Sequence, residues 1–310
     1  MTAYIIRRVL YMIPIVLGVA LLVFLLFSTV GEDPVRVALG QHANQEAIDG
    51  LRSQWGLDQP LALQFLDFLR QIVTMDLGRS FNTGERLTDM FADGVTVSLS
   101  LTVFPYFFGM STNLLIALAI AYFRGSWFDR WSTIFFVAAM SVSYLVYIIG
   151  FQYLLAFKWD LFPINGYADG WEGIQYLVLP WIIIMFVSAG QDIRMFRTVF
   201  LDETKADYVR TAFAKGASEP SVLLNHILKN AMIPILTYSV IGIPFLILGA
   251  FLMERFFSLP GVGDILITAI NTGDFPVLKS LTVLMAISYS AFNLLTDILY
   301  AYVDPRVQLS

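Results

Sequence analysis

Long apolar runs, each sufficient to cross a lipid bilayer, constrain this chain more than any other feature. A hydrocarbon core of about 30 Å needs about 20 residues of helix, and residues 9–30 provide one such run without a charge. Further runs occupy residues 95–123, 132–157, 174–190, 231–253 and 280–303, which makes six expected spans. Lipid cannot satisfy backbone N–H and C=O groups, so the spans are expected as helices and the fold as an all-α polytopic membrane protein. Composition agrees: 57% of the 310 residues are hydrophobic and 14% charged, too little charge for a water-soluble domain of this size. Residues 9–30 exceed a signal-peptide core and lack a small-residue cleavage site, so the segment is expected to be retained. Pro105, Pro180, Pro234 and Pro244 fall in or at the ends of spans, which membrane helices tolerate.

Lysine and arginine set the expected orientation. With the N-terminus in the cytoplasm, the inside holds Arg7, Arg8, Arg124, Arg130, Arg194, Arg197, Lys205, Arg210, Lys215, Lys229 and Arg306. The short outside loops hold only Lys158, Arg255 and Lys279. This is the asymmetry of the positive-inside rule, and it places both termini in the cytoplasm. Three regions follow: residues 1–30 as tail and first span, 31–94 as an extracytoplasmic loop, and 95–310 as a core of five spans with a cytoplasmic loop at 205–230. The 31–94 loop is acidic, and Leu61, Phe65, Phe68, Leu69 and Ile72 recur in it at helical spacing. It suits either a docking surface or lid, or a solvated cap on the outer helix ends.

Catalytic chemistry is nearly absent from the sequence. There is no G-x-x-x-x-G-K-[ST] phosphate loop, no H-E-x-x-H and no G-x-S-x-G. The chain is therefore not expected to hydrolyse ATP or to hold a cofactor. Without cysteine it has no disulfide, thiol nucleophile or thiolate metal site. His42 and His226 are expected on opposite sides of the membrane, so they share no metal. Acids near the membrane raise a functional question. Asp192 reads with Arg194 and Arg197 as a charge cluster at the cytoplasmic edge. Glu254 closes the fifth span, and Asp297 lies about two turns from Asp304 near the cytoplasmic end of the last. These three, Glu254, Asp297 and Asp304, are candidates for structural pairing or gating.

The stretch Arg210-Thr211-Ala212-Phe213-Ala214-Lys215-Gly216 lies between the fourth and fifth spans. A polar helix that stops at a glycine and resumes at Ser218-Glu219-Pro220 reads as a short helix hairpin on the membrane surface. Gly216 can take a left-handed cap, Ser218 can cap the next helix, and Pro220 is tolerated in a first turn. Tyr208, Val209, Ala212 and Phe213 share one face, with Asp207, Arg210, Thr211 and Lys215 towards the other. Such a knob suits a partner outside the bilayer, and an ordinary charged loop fits these residues equally well.

At this point the residues carry a resemblance. Arg210 to Gly216 resembles the R-T-A-x-A-K-G form of the E-A-A-x-x-x-G loop in permeases of ABC importers of the oligopeptide/dipeptide/nickel family, of the type with a long first loop. The likeness continues through His226, Lys229-Asn230-Ala231 and Ile233-Pro234, and through Glu254 with Phe257-Ser258-Leu259-Pro260-Gly261-Val262-Gly263. Asp274-Phe275-Pro276-Val277, Asn293 to Asp297, Tyr300 and Asp304-Pro305-Arg306 also fit. Upstream, Gly56 to Pro60, Asp76-Leu77-Gly78-Arg79-Ser80 and Gly125 to Arg130 are similar as well. Two departures stand out. Gly31-Glu32-Asp33-Pro34 replaces the family's Pro-Gly-Asp-Pro, and Ser143 stands where Ser-Val-Pro is usual, which removes the expectation of a kink in the third span.

The resemblance implies six helices of the type I importer kind in a bacterial inner membrane, with a coupling-helix hairpin. It implies a second homologous permease subunit, two ATP-binding subunits that hold ATP and Mg, and an extracytoplasmic substrate-binding protein. Tyr208, Arg210, Thr211, Ala212, Phe213, Ala214, Lys215 and Gly216 would meet an ATP-binding subunit. Peptides are the implied cargo, with nickel chelates or glutathione-like solutes as alternatives. A secondary transporter would need buried ionisable groups or broken helices in inverted repeats, which the sequence does not clearly offer. A membrane scaffold gives no reason for the hairpin.

Overall fold

A computed structural model describes residues 2–29, 33–39, 44–246 and 250–303. Among them the chain is helical, with one isolated bridge between Arg79 and Arg86 and no strand. Five continuous helical segments are long and apolar enough to span a bilayer: Ile6–Ser28, Leu87–Tyr122, Gly170–Glu203, Glu219–Leu246 and Phe275–Ile298. A sixth candidate is a helix pair, Trp127–Met140 and Tyr144–Lys158, bent by 97° at the break between them.

The long helix α5 (Leu87–Tyr122) is the central post, after α1 (Thr2–Thr29) and three short helices, α2 (Pro34–Leu39), α3 (Gln45–Gln54) and α4 (Leu61–Thr74). Its buried residues include Leu87, Gly94, Ser98, Leu101, Thr102, Pro105, Gly109, Asn113 and Ala117, a stripe rich in small side chains. Small residues let helices approach closely in membranes, and a Cβ on Gly109 would lie 3.0 Å from Met185 of the neighbouring α8 (Ile174–Glu203). Pro105 sits inside α5 and Pro180 inside α8.

The bend at Ser143 answers a point that the sequence left open. Helices α6 (Trp127–Met140) and α7 (Tyr144–Phe151) bend sharply without a proline, and Ser143 is extended at the N-cap of α7. The Tyr147 hydroxyl, one turn into α7, donates across the bend to the Ala139 carbonyl at 2.6 Å, which also accepts from the Val142 amide at 3.3 Å. Helix kinks persist where such groups find partners.

The fifth span also differs from its expected 231–253. After α9 (Asp207–Ala214), the chain runs without interruption from α10 (Glu219–Val222) through a π turn (Leu223–Leu228) into α11 (Lys229–Gly242) and a 3-10 turn (Ile243–Leu246). The helix thus starts in polar sequence and stops earlier, leaving α12 (Phe251–Phe257) separate before α13 (Val262–Thr272) and α14 (Phe275–Val303). Pro234 lies within α11 and Pro244 in the closing 3-10 turn.

Helix α4 confirms the helical spacing in the first loop. Phe68 and Ile72 are buried against Ala20 and Phe24 of α1 and Val283 of α14, while Leu61 remains 49% exposed. A second tie is polar. Asp274 is buried before α14 and accepts from the Ser80 hydroxyl at 2.5 Å and the Phe81 amide at 3.2 Å. The Asp76–Ser80 and Asp274–Val277 motifs are therefore two halves of one contact, and the loop caps the helix ends.

Candidate functional site

The 207–217 segment is a helix-and-turn anchored in the body of the protein. Gly216 has φ +82°, and its N–H donates to the Phe213 carbonyl at 2.9 Å while the Ala217 N–H reaches that of Ala212 at 3.2 Å. This is the glycine-terminated helix end that the sequence suggested. Ser218 holds the N-cap position of α10 in extended backbone, and its hydroxyl makes no capping bond, which corrects the expected side-chain cap.

The apolar face is narrower than the four residues expected. Val209 and Ala212 are buried, Tyr208 is partly buried, and Phe213 in the last turn is 48% exposed. Val209 and Ala212 join Phe196 and Phe200 of α8, Ala117 and Ala121 of α5, and Val222 and Ile227 at the start of the fifth span. Ala212 therefore packs inside the chain and is not a surface contact. The outward side carries Asp207, Arg210, Thr211, Phe213, Ala214, Lys215 and Gly216, all exposed. Tyr208 donates its hydroxyl to the Glu203 carboxylate at the end of α8. Burial, that bond and the nearby carboxylate push the phenol up to about 12, so it stays protonated.

Asp192 does not form the expected cluster with Arg194 and Arg197. Arg197 instead pairs with the buried Asp129 of α6 at 2.7 Å, and the other Asp129 oxygen accepts from the Gly125 amide at 2.9 Å. Asp192 turns inward, 8% exposed, accepting from Asn113 Nδ2 of α5 at 2.9 Å and from the Tyr238 hydroxyl of α11 at 3.0 Å. The signal was present in the sequence. Asp192 lies on the stripe of Ala189, Ile193, Phe196 and Phe200, three and four residues apart, and all of these are buried. The carboxylate borders a cavity of about 500 Å³ between α5, α7, α8 and the fifth span, whose lining includes Thr102, Tyr106, Tyr144, Ser188, Gln191 and Phe245. The Tyr106 hydroxyl donates to the Ser239 carbonyl, and the Thr102 hydroxyl reaches the Leu246 carbonyl at 2.8 Å.

Glu254 lies at a junction of three helices. It is fully buried, with Oε1 accepting from the Ser98 hydroxyl at 2.8 Å and Oε2 from the Gly263 and Asp264 amides at 2.7 and 3.1 Å. Ser98 Oγ in turn accepts from the Val262 amide at 2.9 Å. One carboxylate therefore supplies acceptors for orphan amides at the start of α13 and joins α5, α12 and α13. Gly261 and Gly263 lack the Cβ that would collide with this carboxyl, which explains the Glu254-to-Gly263 motif. Asp297 pairs with Arg8 at 2.8 Å and ties the first helix to the last. Asp304 and His42 lie outside the described residues. His226 sits in the π turn of the fifth span, half-buried.

Comparison with known proteins covers almost the whole chain. Residues 113–309 match the family model described as "Binding-protein-dependent transport system inner membrane component", and residues 1–102 match the model of its N-terminal region. A Brucella abortus (strain 2308) protein, provisionally named a peptide transport system permease protein, is 34% identical over 99% of both chains. The glutathione transport system permease protein of Salmonella typhimurium (strain LT2) is 33% identical, again over 99% of both. The dipeptide transport system permease protein of Alkalihalophilus pseudofirmus is 30% identical over 99% of this chain and 100% of its own.

Proposed function

This chain belongs to the family of binding-protein-dependent transport system inner membrane components, and we propose that it forms half of the translocation pathway of an ATP-driven importer. It is a multi-pass permease subunit of the inner membrane. A system of this kind also contains a substrate-binding protein and ATP-binding subunits. In this reading a second homologous permease completes the pathway. Two ATP-binding subunits hold ATP and Mg, one of them docked on residues 206–217, and both termini face the cytoplasm.

The geometry of α9 is what supports the docking. Val209 and Ala212 fix the hairpin to α5, α8 and the fifth span, while Arg210, Thr211, Phe213 and Lys215 remain available to a partner. Closure of the ATP-binding subunits would move α9, and with it the helices that share its apolar cluster, as one body. Relatives named for peptide, dipeptide and glutathione transport support a peptide or peptide-like cargo. Two measurements test this. The purified chain alone should show no ATP hydrolysis, which should appear on assembly with its ATP-binding subunits. The assembled system should then import peptides. Hydrolysis by the single chain, or uptake of a metal chelate without peptide competition, would overturn the reading.

A further inference from the structure

Asp192 is a buried carboxyl group with only neutral hydrogen-bond donors on it. Its two donors are the neutral groups Asn113 Nδ2 and Tyr238 OH, and no ion pair to it occurs among the described residues. Arg194, two residues along, is exposed, and Arg197 is committed to Asp129. An ionisable group within a membrane span normally faces a protein interior or a water-filled path and has a counterpart there. Here the carboxylate borders a cavity of about 500 Å³, within the range of about 300–1,000 Å³ usual for small-molecule pockets. The walls around it are aromatic, with Tyr106, Tyr144, Tyr238 and Phe245, and Ser188 adds a hydroxyl. A fixed carboxylate in a cavity lined by aromatic side chains is the chemistry that recognises an organic ammonium ion.

We propose that Asp192 is the anionic end of a cargo subsite within the membrane, which takes a substrate ammonium group while the tyrosine and phenylalanine rings take the adjoining carbon chain. The group is either a peptide's α-amino terminus or a basic side chain. Asn113 and Tyr238 hold the carboxylate oxygens in place from two different helices, α5 and α11, so the subsite reports on the spacing of those helices. The proposal rests on the importer reading above and extends it to the class of group recognised.

The assembled transporter in proteoliposomes tests it, with saturating binding protein so that delivery is not limiting. Three peptides are compared: a neutral one with a free amino terminus, its N-acetyl form, and an N-acetyl form with an added lysine. Asp192→Asn keeps the shape of the side chain, and the Asn113 amide can rotate to accept from it. Uptake of at least one ammonium-bearing peptide should fall about tenfold or more, the loss of one charge-assisted hydrogen bond, while the N-acetyl neutral peptide is unaffected. Which of the two falls identifies the source of the ammonium. Asp192→Glu should retain the preference. An equal loss for all three peptides, or no loss for any, overturns the proposal. If the wild-type transporter imports no peptide, the cargo reading fails and a second measurement decides the subsite. Phenethylammonium should then raise the melting temperature of the wild-type complex and not of Asp192→Asn, and phenethyl alcohol should affect neither. The same response from both proteins overturns the subsite.

Discussion

Removing the Glu254 carboxylate should loosen the junction of α5, α12 and α13 by an amount the contacts define. In Glu254→Ala two buried donors lose their acceptor, the Ser98 hydroxyl at 2.8 Å and the Gly263 amide at 2.7 Å, and so does the part-buried Asp264 amide at 3.1 Å. An orphaned buried donor costs about 1–3 kcal/mol. Water entering the vacated space can satisfy some of them, so the lower end, about 3 kcal/mol in all, is expected. Glu254→Gln keeps the shape and one acceptor oxygen and should cost about 1–2 kcal/mol. Gly261→Ala places a methyl group on the Glu254 carboxyl and should approach the alanine variant in severity. The double variant supplies the sharpest criterion. Once Glu254 is truncated the methyl group at 261 has room, so Gly261→Ala should add little to Glu254→Ala, a coupling expected only between touching residues. The measurement is the temperature at which half of the detergent-solubilised protein aggregates, alongside its yield from membranes. Equal midpoints for Glu254→Ala and wild type, or additive losses in the double variant, would refute the reasoning.

Three further expectations concern the hairpin and the topology. Gly216→Val forces a β-branched residue to φ +82° with no neighbour within 4 Å of the new Cβ, so its cost is backbone strain of about 1–2 kcal/mol or more. Uptake should be lost at normal membrane level, and normal uptake would reject a role for this turn. Ala212→Asp buries a charge among Val209, Phe200 and Val222 and should lower the membrane level, whereas Phe213→Ala should preserve it and weaken co-purification with the ATP-binding subunit. The reverse pattern would mean the faces of α9 are misassigned. Single cysteines at Asn44 and Ser218, both exposed in this cysteine-free chain, should label from outside and inside respectively, and the opposite labelling would invert the topology.

Hydropathy located the spans because length in hydrocarbon is a property of a single segment. It misplaced the fifth because residues 219–230 are polar yet helical, and apolarity measures depth in a membrane rather than helix. The break at Ser141–Ser143 was illegible without proline. The contact across the bend, from the Tyr147 hydroxyl to the Ala139 carbonyl, joins residues eight apart. Glu254 was recognisable as a buried-acid candidate, but its role depends on Ser98, 156 residues away in the sequence. Asp192 differs from these, since its place on the buried α8 stripe was readable and two neighbouring arginines drew the charge reading outward. On α9, spacing correctly grouped Val209 with Ala212. It could not tell that the receiving surface ends before Phe213.

The inward turn of Ala212 leaves a partner little apolar area on α9 beyond Phe213. What remains outward is polar or small, with Asp207, Arg210 and Lys215 charged, and the Asp207–Arg210 pair is loose at 3.7 Å with side chains 97% and 79% exposed. Such a pair contributes little and exchanges readily for charges on another protein. If the proposed ATP-binding subunit docks here, its attachment should be screened by salt, with a Debye length of about 8 Å at physiological ionic strength. Raising the salt should release a protein seated there long before it disturbs the buried cluster beneath. In the proposed docking the holding force and the transmitted motion would thus reside in different chemistry: exchangeable charges outside, fixed packing within.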